Sequence, residues 1–108
     1  MKKIIIINGP NLNLLGNREK DVYGDISLQD IEKKTKAKCK ELNLDLFFCQ
    51  SNNEGELINF IQSAEKKYDG LIINPAAFTH TSIALLDALR AISKPKIEIH
   101  LSNIYNRE

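Results

Sequence analysis

The chain has 108 residues, 43% hydrophobic and 27% charged, with 5 Gly and 3 Pro; that is the length of one domain, 1–108, and the composition of a folded globular protein rather than a disordered or fibrous one. Lys and Arg number 15 against 14 Asp and Glu, a net charge of +1, so no basic field is available to hold a nucleic-acid backbone or an anionic membrane. The opening apolar run stops at Asn8, short of the roughly 7 to 15 residues of a signal-peptide core, and nothing approaches the roughly 18 to 20 apolar residues of a membrane span, so the expected location is cytoplasmic.

Lys3 to Asn8 is a run of isoleucines and the first strand candidate, followed by Leu44 to Gln50, Gly70 to Asn74 and Lys96 to Leu101. The first and third are apolar at consecutive positions, as in strands covered on both faces of a parallel sheet. Leu28, Ile31, Thr35, Cys39 and Leu42 align on one face of a helix that starts near Ser27, its lysines mostly turned to solvent. Leu57, Ile61, Ala64 and Tyr68 stripe a second helix, which Ser51, Asn52 or Asn53 can cap and whose N-terminus suits Glu54 and Glu56. The third helix, roughly Ser82 to Ile92, is apolar nearly all round except for Asp87 and Arg90, which points to burial on two sides, the second against another subunit. Cys39 and Cys49 match neither C-x-x-C nor a zinc motif and are expected to be free, mostly buried thiols.

Strand alternating with helix predicts an α/β fold, a flavodoxin-like, three-layer open parallel sheet. Such sheets bind ligands beyond the carboxyl ends of their strands, where the strand order switches. The connection over 9–26 is about three times the usual roughly 2 to 6 residues, the length of a lid or binding loop. Arg18 and Tyr23 are its candidates to close on a ligand, against the plainer roles of a solvated charge and a packing residue. The loop is neither a P-loop nor a dinucleotide fingerprint.

The third strand runs into NPAAFTHTS, with Asn74 at its end and His80 before the apolar helix. The fourth runs into EIHLSN, where Glu98 and His100 share a face and the carboxylate can orient the imidazole. Ser102 and the backbone around it lie where an anion can be held. Zinc is a rival use of His80, His100 and Glu98, disfavoured because Glu98 sits beside His100 rather than opposite it. A phosphoacceptor regulator needs an acidic cluster where this chain has Asn8, and a flavin binder needs a hydroxyl-rich loop where it has GPNLNLLG.

Four blocks in order, GPNLNLLGNREKDVYG, QSNNEGELI, NPAAFTHTS and EIHLSNIYNRE, resemble type II 3-dehydroquinate dehydratase, a hydro-lyase of the shikimate pathway of aromatic amino-acid biosynthesis, and the resemblance runs along the whole chain. It implies anti elimination of water from 3-dehydroquinate to give 3-dehydroshikimate through an enolate, without metal or cofactor. It assigns Tyr23 as the base that removes the C2 proton and Arg18 as the cation beside it, as a phenol with an ordinary pKa near 10 requires at neutral pH. It also assigns Asn11 as the group that helps stabilise the enolate through a water, His100 as the general acid on the departing hydroxyl, and Glu98 as its orienting carboxylate. Asn74, His80 and the backbone at Leu101 and Ser102 are implied to hold the substrate, with Asp87 reaching a neighbouring active site across a trimer interface.

The implied assembly is a homotrimer, commonly four to a dodecamer. Phe78 stands where many relatives carry tyrosine. The family continues past NREE, or a similar run, into a segment with a substrate-binding arginine, a last strand and a last helix, so a chain that stops at Glu108 is expected to be C-terminally truncated. Arg107 matches a different arginine. The missing helix is expected to leave apolar sheet surface beside the first helix uncovered. The alternative to a dehydratase is a truncated, non-catalytic remnant that keeps only a ligand pocket or a subunit interface.

Overall fold

The computed structural model describes residues 1–15, 26–76 and 82–100. Among the described residues four strands, β1 (Lys2–Asn8), β2 (Leu44–Gln50), β3 (Gly70–Asn74) and β4 (Lys96–Glu98), alternate with α1 (Leu28–Glu41), α2 (Glu54–Lys67) and α3 (Ile83–Arg90), and a 3-10 turn at Leu12–Leu14 follows β1. The strands pair in parallel in the order β2-β1-β3-β4. This is the α/β parallel sheet the sequence predicts, with the two isoleucine-rich strands at its centre. The fourth strand ends at Glu98 rather than Leu101, although the backbone N–H of Ile99 still donates to the Ile73 carbonyl at 2.8 Å.

Side-chain alternation along the central strands divides the apolar residues between two layers. Ile5, Ile7, Leu71 and Ile73 turn to one face, where Leu57, Ile61 and Ala64 of α2 and Leu85, Ala88 and Ile92 from α3 and its C-terminal flank bury them. Removing a side chain such as Ile61, which is fully buried, costs about 2–5 kcal/mol. On the other face Leu28 and Ile31 of α1 pack with Leu12, Leu15 and Phe48. At the β4 end of that second face Ile97, in register with Ile72, is 59% exposed.

Each helix begins where a side chain replaces a missing backbone acceptor. Ser27 and Asp30 form a reciprocal capping box on α1, both bonds at 3.1 Å. Of the three candidates for α2 the cap is Asn53, whose Oδ1 accepts from Glu56 N–H at 2.9 Å. Ser82 caps α3 by accepting from Leu85 N–H at 3.0 Å. The apolar character of α3 divides unequally: Leu85 and Ala88 are buried, while Ile83 is 83% and Leu86 47% exposed. Both cysteines are free thiols, Cys39 buried and Cys49 partly buried. Among the described residues no helix is long and apolar enough to cross a membrane.

Candidate active site

The chain leaves β1 for β2 on one side and later builds β3 on the other, so the strand order switches between β1 and β3. There the two carboxyl ends come together. Asn8 and Asn74 are register partners, and Gly9 N–H donates to the Asn74 carbonyl at 2.8 Å. A Cβ on Gly9 would lie 2.6 Å from the Pro75 carbonyl oxygen, so the close approach of the two strand ends needs a residue without a side chain.

The asparagines of this junction are buried, and one side-chain atom of each is bonded to its backbone. Asn8 is 4% exposed and donates its Nδ2 to the Cys49 carbonyl at 2.8 Å, while its own carbonyl accepts from Ser51 N–H at 3.0 Å. Asn74 is 2% exposed, and its Oδ1 accepts from Ala76 N–H at 3.0 Å in the turn that leaves β3. Ala76 itself has a left-handed backbone, φ 52°, so that side-chain bond helps fix a turn that an alanine does not favour by itself.

Past Gly9 the chain turns at Asn11, which has φ 68°, is exposed and opens the 3-10 turn. Asparagine is among the residues that tolerate this conformation best. Its N–H donates to Asn52 Oδ1 at 2.9 Å. Gln50, the last residue of β2, donates its Nε2 to the Gly9 carbonyl at 3.1 Å, to Asn52 Oδ1 at 3.1 Å and to Asn13 Oδ1 at 3.4 Å.

At the end of β4, His100 Nε2 lies 2.9 Å from Glu98 Oε2, and both side chains are about half exposed. A carboxylate bonded to one ring nitrogen fixes the orientation and tautomer of the imidazole. The N-terminal ends of α2 and α3 are joined as well, through a short hydrogen bond from the Ser82 hydroxyl to the Glu54 carboxylate. This ties the end of β2 to the helix that follows β3.

Of the residues singled out in the sequence, Asn11, Asn74, Glu98 and His100 thus lie at or just beyond strand carboxyl ends, and Asp87 lies exposed on α3. Arg18, Tyr23, His80, Leu101 and Ser102 lie outside the described residues, as do most of the 9–26 loop, Phe78 and Arg107. In the sequence Asn52 and Glu54 read only as helix-terminus residues and Gln50 only as the end of a strand. The rule that ligands bind beyond strand carboxyl ends covers all three, because they leave β2 at the same level as Asn8 leaves β1.

Residues 2–108 match the family model described as Dehydroquinase class II. The 3-dehydroquinate dehydratase of Clostridium botulinum strain Okra is 56% identical over 108 residues, which make up all of this chain and 74% of that protein. Its counterpart from Thermoanaerobacter pseudethanolicus is 53% identical over 108 residues, 73% of its length. The crystal structure of type II dehydroquinase from Butyrivibrio crossotus aligns with a TM-score of 0.92 at 46% identity, over 99% of this chain and 75% of that one.

Proposed function

The chain belongs to the class II dehydroquinases and is a hydro-lyase, a 3-dehydroquinate dehydratase, for which we propose the following division of labour. Tyr23, kept as phenolate by Arg18, removes the C2 proton of 3-dehydroquinate. The electron pair moves onto the carbonyl oxygen, and the resulting enolate is stabilised by a water that Asn11 holds, a neutral dipole aimed at developing charge. The enolate then collapses to re-form the carbonyl and make the new carbon–carbon double bond, the C–O bond breaks, and His100, oriented by Glu98, protonates the departing hydroxyl so that it leaves as water and 3-dehydroshikimate remains. Asn74, His80 and the backbone at Leu101 and Ser102 bind the substrate. Proton removal and hydroxyl protonation are assigned to groups on different elements, as an anti elimination needs on opposite faces of the ring.

The observation that carries this reading is the reach of the family match, 2–108, which contains every residue named. The 2.9 Å contact of His100 with Glu98 supports its acid half. We place the enzyme in the cytoplasm, in keeping with two free cysteines, and as a homotrimer, four of which form a dodecamer. The outward Ile83 and Leu86 of α3, with Asp87 beside them, suit a subunit contact of that kind.

The activity test follows enone absorbance after 3-dehydroquinate is added to the purified protein. A rise at the rate of product formation is expected, and a flat trace with folded protein sinks the reading. Gel filtration tests the assembly, which elution at monomer size would refute.

A further inference from the structure

We propose that Asn52, backed by Gln50, is a positioning residue that holds Asn11 in its working conformation. The inference rests on the reading of Asn11 as the residue that acts on the enolate.

Asn11 needs an external hold. Its left-handed backbone, φ 68°, is better tolerated by asparagine than by most residues, yet it is still less favourable than the right-handed conformation and gains from bonds that fix it. Its carbonyl is used inside the following turn, accepting from Leu14 N–H at 3.0 Å, and its N–H donates to a side chain, Asn52 Oδ1, at 2.9 Å. The bond to Asn52 fixes the peptide plane that enters Asn11, and the bond from Leu14 N–H fixes the plane that leaves it. Held on both sides, the two planes keep Asn11 at its left-handed dihedral angles, and Asn52 supplies the one side-chain bond of that pair.

Asn52 is itself held. Gln50 Nε2 donates to the same Oδ1 at 3.1 Å and to the Gly9 carbonyl at 3.1 Å, so the glutamine amide spans from the entrance of the turn to the residue that pins its apex. The base of this arrangement is fixed by the bonds of Asn8 to Cys49 and of Ser51 to Asn8, at 2.8 and 3.0 Å. Neither amide is used for helix capping, since Asn53 caps α2. The end of β2 thus supplies a polar clamp on a loop that belongs to β1.

The test is a double-mutant cycle in the intact enzyme. Asn52→Ala should lower kcat roughly 10- to 100-fold with KM little changed, because the residue acts through Asn11, to which it is hydrogen-bonded. Asn52→Asp, which keeps an acceptor facing both donors, should restore most of that turnover. In an Asn11→Ala background Asn52→Ala should cost nothing further. Wild-type kcat in Asn52→Ala, or losses that multiply in the double variant, would overturn the proposal. Wild-type kcat in Asn11→Ala would instead remove the reading of Asn11, and this inference with it. If Asn52→Ala fails to fold, Gln50→Glu carries the same test, since it turns a donor into an acceptor facing Gly9 and Asn52 and should produce the same kcat loss, again absent in the Asn11→Ala background.

Discussion

His100 Nε2 and Glu98 Oε2 stand 2.9 Å apart at the end of β4. Two residues along an extended chain return to the same face, so this contact follows from local geometry and needs no third element to set it. If His100 is the acid that releases the hydroxyl, His100→Ala lowers kcat by about 10²- to 10⁴-fold. Glu98→Gln, which keeps an acceptor but loses the charge, lowers it less. Steady-state kinetics of both variants check the order, and equal losses would mean that Glu98 does more than orient the ring.

For the opposite half of the elimination, Tyr23→Phe should reduce kcat by about 10²- to 10⁴-fold while KM stays close to wild type, since the ring remains and only the base is removed. Near-normal turnover would show that the base lies elsewhere.

Gly9 sits where β1 and β3 approach most closely, and an added Cβ would come within 2.6 Å of the Pro75 carbonyl oxygen. The obstacle is backbone, which cannot swing aside as a side-chain tip can. Gly9→Ala should therefore destabilise the fold by about 1–3 kcal/mol and, by moving the start of the Asn11 turn, also lower kcat. Urea unfolding gives the first effect as a lower midpoint, and an unchanged midpoint would refute it.

Burial, reinforced by the Glu56 charge, pushes the Cys49 thiol from its ordinary 9.0 up to about 12, and burial also raises the Tyr68 phenol. A raised value means that the native state keeps a proton the unfolded state has already lost. The stability contributed by Cys49 is thus complete below about pH 9 and is lost as pH rises toward about 12. Cys49 should resist alkylation at pH 8 in the folded protein and react on unfolding. Mass spectrometry of labelled peptides checks this, and rapid native labelling at Cys49 would contradict it.

Glu65 accepts from the Ser93 hydroxyl at 2.6 Å and from Ser93 N–H at 2.7 Å, which joins α2 to the turn after α3. The side-chain bond first, then the backbone bond, holds the Glu65 carboxyl below its ordinary 4.5. Its contribution is present above that ordinary value and is lost as pH falls through the lowered one. Glu65→Gln should lower stability at pH 7 and narrow the difference from wild type in strong acid. Thermal midpoints across the acid range measure it, and a constant difference at all pH values would be the contrary result.

Much of the fold was legible along the chain because its signals are local. Unbroken apolar runs marked β1 and β3 as strands covered on both faces, period-matched apolar residues marked α1 and α2, and the alternation of strand with helix dictated a parallel sheet. The neighbouring Glu98 and His100 were legible for the same reason. The clamp on Asn11 was not. Asn52 reads locally as one of three possible helix caps, and its bond to Asn11 spans 41 positions.

What the sequence determined by itself was the set of elements, the family blocks and the chemistry of the residues within them, since backbone period and side-chain type are properties of short segments. What only the tertiary structure decided was which of those segments meet. Gly9 against Pro75, Gln50 and Asn52 against the Asn11 turn, and Glu54 against Ser82 all depend on β1 lying between β2 and β3. That arrangement is set by burying the apolar faces of the whole sheet together, and no single stretch of the chain encodes it.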